Sequence, residues 1–195
     1  VPDDFDPAKQ YNLLIDMHGA SGTHEQAEDW WHSYSKWDST YFDNTIAIAV
    51  MGRGRWSGYE GLGEDDVLQA MDWTMDHYPI DPDRVFISGG SMGGGGSWRI
   101  ASRYPDRFAS AWPECGWPEW NVVANTLNLP VYLNHGNADW MVAKTYTAMG
   151  AAYMSEMGNP VFYTEWDGVG HGVGSQAREG GWVSRLAAHT RVTDP

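Results

Sequence analysis

Ser91, Asp139 and His171 have the residue types that acyl transfer needs, and each sits among small residues. Ser91 lies in Gly89-Gly90-Ser91-Met92-Gly93, Asp139 in His135-Gly136-Asn137-Ala138-Asp139, and His171 in Gly170-His171-Gly172. A serine hydroxyl is a weak nucleophile until a base accepts its proton. His171 would take that proton and return it to the leaving group. Asp139 would hold the imidazole in one tautomer and stabilise the imidazolium. Asp167 is the rival acid, but it shares a strand end with His171, whereas Asp139 follows a different strand and can approach the ring from the side. The reaction also creates an oxyanion, which needs two preorganised donors. The N–H of Met92 follows the nucleophile and is one. The N–H of Ala20, in the small-residue loop His18-Gly19-Ala20-Ser21-Gly22, is the expected second. His18 is expected to shape that loop and His135 to pack at a strand end. His24, His32, His77 and His189 read as helix-surface residues. Cys115 is the chain's single cysteine, so neither an intrachain disulfide nor a zinc site built on cysteines is available. It reads as a small packed side chain, and no metal ligand set is assigned.

These groups need elements that bring them together. The pattern G-x-S-x-G is weak alone and becomes specific when a strand precedes it and a helix follows. Here residues 85–87 are a β-type run, and residues 91–104 have helical spacing that stops before Pro105. Further strands are predicted at 12–17, 45–51, 108–112, 131–134 and 161–166. Helices are predicted at 24–39, 64–78, 142–157 and 176–190. Strands alternating with helices argue a mostly parallel sheet of about six strands, covered on both faces. In such sheets ligands bind beyond the carboxyl ends of the strands. Ala20, Ser91, Asp139 and His171 each follow a different strand.

Several segments resemble a known family. They are residues 64–69, Tyr78-Pro79-Ile80-Asp81-Pro82-Asp83-Arg84-Val85, Gly93-Gly94-Gly95-Gly96-Ser97-Trp98, residues 103–109 and Asn134-His135-Gly136-Asn137-Ala138-Asp139. They are similar to feruloyl-esterase-like and polyhydroxybutyrate-depolymerase-like carboxylesterases of the α/β-hydrolase superfamily. The resemblance runs from about Tyr11 to His171. It implies a three-layer α/β-hydrolase fold, the triad Ser91, Asp139 and His171, oxyanion donors at Ala20 and Met92, and no cofactor. Family members begin with an antiparallel hairpin that does not fit in residues 1–11. The strand at 45–51 would then be an apolar edge open to self-association. No long insertion follows the fourth strand, so residues 113–128 are the one candidate for a short lid.

The totals set the outer limits. A chain of 195 residues is expected to form one domain, residues 1–195, with a sizeable core. The formal net charge of -14 argues against nucleic acid and anionic membranes as partners. No run is long enough for a membrane span. The opening residues are not a signal peptide. A secreted or periplasmic location is favoured over a cytoplasmic one, with any signal absent from this chain. The chain has twelve tryptophans. Trp56, Trp117, Trp120 and Trp140 fall in loops after strands, where they would suit aryl acyl groups or sugars. Trp30, Trp31, Trp37 and Trp73 fall in helices and read as packing, and Trp98 as core. The expected activity is a serine carboxylesterase on feruloyl-type aryl, short-chain or polyester substrates. A prolyl-oligopeptidase-like serine peptidase is the alternative, and a catalytically dead binding module is a weaker one.

Overall fold

The computed structural model describes residues 1–26, 44–179 and 181–192. Among these residues six strands form one sheet: β1 (Tyr11–Met17), β2 (Thr45–Val50), β3 (Ile80–Gly90), β4 (Ser110–Glu114), β5 (Val131–Gly136) and β6 (Val161–Trp166). Their order is β2-β1-β3-β4-β5-β6, and every pairing is parallel. Helices α1 (Leu62–His77), α2 (Met92–Arg103), α3 (Lys144–Glu156), α4 (Gly174–Arg178) and α5 (Trp182–Ala187) cover the sheet. This is the three-layer α/β-hydrolase arrangement.

The apolar pattern explains the layering. A parallel sheet covered on both faces needs strands that are apolar on both sides. In β1, Leu13, Ile15 and Met17 point to one face, packing with Val67 and Met71 of α1, Trp98 and Ile100 of α2, and Met154 of α3. Leu14 points to the other face, with Phe86, Trp112, Ala177 of α4, and Trp182, Val183 and Leu186 of α5. Among the described residues β2 and β6 are the two edges. No helix among them is long and apolar enough to cross a membrane.

Several boundaries differ from the sequence expectation. β3 begins at Ile80 because Ile80 pairs with Tyr11, and a register shift between Tyr11 and Leu13 accommodates the Pro82 segment. β4 runs on to Glu114, past the predicted end at 112, which carries a carboxylate to the sheet edge. The closing helix is two short helices, because Gly181 takes a left-handed φ of 88° between them. Trp73 is 56% exposed and stacks on His77 with ring centroids 4.2 Å apart, so it is a surface residue and not packing. The helix expected over 24–39, with Trp30, Trp31 and Trp37, lies mostly outside the described residues.

The strand-to-helix junction is the tightest point. Helix α2 is buried from Met92 to Ser102 despite four successive glycines at its start. Glycine is a poor helix former, by about 1 kcal/mol per residue against alanine. A Cβ on Gly93 would collide with the Met17 carbonyl, and one on Gly89 would sit 2.5 Å from the Gly93 carbonyl oxygen. Close approach between helix and sheet therefore outweighs propensity. Gly93→Ala should lower unfolding stability by about 3 kcal/mol or prevent folding, since its neighbour is backbone that cannot swing away. Urea denaturation of that variant checks this, and an unchanged midpoint would count against the packing argument.

Candidate active site

Ser91 sits between β3 and α2 with φ 59° and ψ -115°. A non-glycine residue in this region is strained and persists only where its surroundings enforce it. Here the Ser91 N–H donates to the Glu114 carbonyl at 2.9 Å, and the Ser91 carbonyl accepts the Gly95 N–H at 2.9 Å. The turn lifts Oγ above the sheet edge at the N-terminus of α2.

The side chain meets its partners in a chain of hydrogen bonds. Ser91 Oγ lies 2.8 Å from His171 Nε2, and His171 Nδ1 lies 2.7 Å from Asp139 Oδ2. A carboxylate can only accept, so Nδ1 carries the proton and Nε2 is left to accept from Oγ. Asp139 Oδ1 accepts the N–H groups of Met141 (2.8 Å) and Val142 (3.0 Å). Its side chain is wholly covered. Burial alone would raise the Asp139 carboxyl, but the Val142 amide, the His171 ring and the Met141 amide together hold it below the usual range. Asp167 is engaged elsewhere, accepting from Asn137 Nδ2 at 2.9 Å. The structure thus brings Ser91, His171 and Asp139 together and leaves Asp167 aside.

His135 is closer to this chemistry than its sequence position indicates. Its buried ring places Nε2 3.0 Å from Asp139 Oδ2 and 3.1 Å from the Val142 carbonyl. Nδ1 lies 2.7 Å from Thr147 Oγ1. Asp139 is therefore flanked by two imidazoles, one of which braces it. The four-residue spacing between His135 and Asp139 is the signal that could have found this contact.

The loop after β1 is held against the nucleophile. A Cβ on Gly19 would lie 3.5 Å from Ser91 Cβ. His18 braces the loop, with Nδ1 2.8 Å from the Gly19 carbonyl and Nε2 3.2 Å from the Met51 carbonyl. Tyr59 Oη donates to the His18 carbonyl at 3.2 Å, and the Ser21 N–H donates to the Arg55 carbonyl at 2.9 Å. Among the described residues the Ala20 N–H has no hydrogen-bond acceptor. Met92 is the first helical residue, where the N–H has no intrahelical partner. Both expected oxyanion donors are therefore uncommitted.

A cavity of about 400 Å³ opens beside Ser91, walled by Ala20, Glu114, Cys115, Met141, His171 and Val173 among others. The four loop tryptophans are not among its lining residues. Trp117 packs on α2, where a Cβ on Gly95 would lie 2.9 Å from its ring. Trp56, Trp120 and Trp140 are 74%, 47% and 83% exposed. Cys115 is buried, and its thiol lies 3.2 Å from the His171 carbonyl. Burial pushes that thiol up to about 12, so it is inert as a thiolate nucleophile. Ligand atoms of Cys115, Asp139 and His171 lie within 4.8 Å of one another. A metal held there would compete with the bonds that His171 makes to Ser91 and Asp139.

Beneath the cavity lies an ionic cluster that the sequence reading missed. Arg178 of α4 reaches Asp16 of β1 with Nη1 (3.0 Å) and Nη2 (3.2 Å), and Glu114 of β4 with Nε (2.8 Å). Ser88 Oγ donates to Asp16 Oδ1 at 2.7 Å. The Arg178 guanidinium sits 4.6 Å from the Trp182 ring centroid. Burial works against its charge, yet Asp16 and Glu114 hold its pKa above the ordinary arginine value. The cluster ties the segment after His171 to β1 and β4, the two strands that flank the one carrying the nucleophile. Arg178→Met should cost about 3–5 kcal/mol, because it leaves two carboxylates buried without their cation. Chemical denaturation measures this, and a loss under about 1 kcal/mol would show the cluster to be dispensable.

Comparison with known proteins places the chain. A curated protein of Arthroderma benhamiae, called an uncharacterized secreted protein, is 24% identical over 181 residues, covering 77% of this chain and 17% of its own length. A thermostable esterase superposes with a TM-score of 0.76 at 22% identity, over 98% of this chain and 58% of its own. The chain therefore spans less than two thirds of either protein. Arabidopsis thaliana SOBER1 gives a TM-score of 0.70 at 16% identity, over 90% and 99% of the two chains. An acylaminoacyl peptidase of Pyrococcus horikoshii gives 0.63 at 13% identity, over 89% of this chain and 35% of its own. These likenesses are of the α/β-hydrolase fold. The model of the prolyl oligopeptidase family matches residues 51–155, more than half of the sequence and including Ser91 and Asp139. The chain belongs to the prolyl oligopeptidase family.

Proposed function

We propose that the protein is a serine carboxylesterase that works through an acyl-enzyme on Ser91. The observation that carries this reading is the hydrogen-bonded run Ser91–His171–Asp139 beside an open cavity. His171 takes the Ser91 proton as Oγ attacks the ester carbonyl. The N–H groups of Ala20 and Met92 receive the oxyanion. His171 then protonates the leaving alcohol, and water repeats the cycle on the acyl-enzyme. The substrates are aryl esters of the feruloyl type, short-chain esters or polyesters. Exposed Trp56, Trp120 and Trp140, which lie outside the cavity lining, support the polymeric choice, because large exposed aromatic side chains suit a polymer chain on the surface. The relative called secreted supports a location outside the cytoplasm.

A serine peptidase is the second reading. The family match and the likeness to an acylaminoacyl peptidase favour it. Acylation is the same chemistry for both substrates, so the site does not separate them.

With p-nitrophenyl acetate and butyrate, Ser91→Ala should lower kcat roughly ten-thousandfold or more. No turnover by the parent protein, or equal turnover by both, would leave a dead binding module as the reading. Asp139→Asn should lower kcat on the order of a thousandfold to ten-thousandfold through loss of the tautomer, while Asp167→Asn stays within a fewfold of the parent. The reverse pattern would assign the acid to Asp167. Methyl ferulate should be hydrolysed faster than a peptide anilide, and the opposite order would select the peptidase.

A further inference from the structure

We infer that Glu114 Oε2 is a recognition point for the acyl group: the cavity selects short acyl chains bearing a hydrogen-bond donor, a hydroxyl or an ammonium. The inference rests on the esterase reading above and adds a substrate class to it.

Glu114 is 3% exposed, yet it lines the cavity with Ser91. Its two oxygens are used unequally. Oε1 accepts from Trp112 Nε1 at 3.0 Å and from Arg178 Nε at 2.8 Å. Among the described residues no hydrogen bond reaches Oε2. Oε2 is not among the fully buried polar atoms left without a partner, so it is reachable from the cavity, where a ligand's donor can meet it. A brace for Arg178 needs only Oε1, since Asp16 accepts the other two guanidinium bonds. Oε2 is therefore surplus to the structural role.

Its position suits a substrate. A Cβ built on Gly90 would lie 3.7 Å from Oε2, and Gly90 immediately precedes Ser91. The Ser91 N–H is itself bonded to the Glu114 carbonyl at 2.9 Å. Glu114 thus shares the nucleophile's cavity, into which an acyl group on Ser91 would extend. Electrostatics point the same way. Burial raises the Glu114 carboxyl against the pull of Arg178, which a donor on the ligand would relieve. The wall also carries Ser175 and Arg178, but Glu114 is its one carboxylate among the described residues.

The test is pH-stat hydrolysis of ethyl 3-hydroxybutyrate against ethyl butyrate, and of alanine ethyl ester against ethyl propionate. Each kcat/KM ratio is divided by the ratio of the hydroxide-catalysed rates. The parent protein should prefer at least one donor-bearing ester by about tenfold, the scale of a hydrogen bond to a buried charged group. The pair that shows the preference identifies the donor. In Glu114→Gln the ratio should fall to near one, because the amide N–H groups now face the substrate's donor. The glutamine oxygen still serves Trp112 and Arg178, and a thermal melt reports its folding. Corrected ratios near one in the parent protein overturn the inference without any variant. Ratios unchanged in a folded Glu114→Gln overturn it too. Hydrolysis of ethyl butyrate without donor preference sinks this inference alone. No hydrolysis of any ester sinks the esterase reading and this inference with it.

Discussion

The contact between the first turn of α2 and the end of β1 is the constraint on which the site depends. Ser91 occupies a backbone region that few non-glycine residues enter, and it stays there because both flanks are fixed. On one side Gly89 and Gly93 let helix and strand meet at backbone distance. On the other, the Glu114 carbonyl holds the Ser91 N–H. From this junction follow the height of Oγ above the sheet, the free N–H of Met92 and the closeness of the Ala20 loop. The cost in helix propensity of four successive glycines is met by the burial of the helix from Met92 to Ser102, Trp98 and Ile100 included.

The remaining groups reach the nucleophile because parallel strands end on one edge. β5 delivers Asp139, and β6 delivers His171 after a loop whose following segment, through Arg178, is tied to β1 and β4. The site therefore combines two kinds of order. Backbone contacts set the nucleophile, and a buried ionic cluster sets the segment beyond the base. A buried ion pair is weak support for net stability, since desolvation offsets most of the attraction. Its value here is positional, because it fixes one arrangement of α4 against the sheet.

Much of this was legible in the sequence, for a physical reason. The elbow is local: strand, glycine pair, serine and helix follow one another within about a dozen residues, and each carries its own signal. The strand alternation and the order Ser91, Asp139, His171 were legible because they depend on chain order alone. Glu114 was missed because a charged residue at the end of an apolar run reads as a loop residue. Its burial depends on Arg178, 64 residues further on, which no local pattern reveals. His135 reads as packing until its ring is seen beside Asp139. The tryptophans were assigned by loop position, and loop position does not fix which way an indole points. Trp117 turned onto Gly95 of α2, while Trp56 and Trp140 turned to solvent. The break between α4 and α5 contains Gly181, whose left-handed φ interrupts an otherwise helical pattern.

The chemistry of the site turns on the Ser91 hydroxyl, activated by His171, as the acyl acceptor. The most direct measurement is mass spectrometry of the protein after treatment with a fluorophosphonate, which forms a stable phosphonyl ester with an activated serine. A single adduct is expected, on the peptide containing Ser91 and lost in His171→Ala. An adduct on another residue, or no adduct on folded protein, would contradict it.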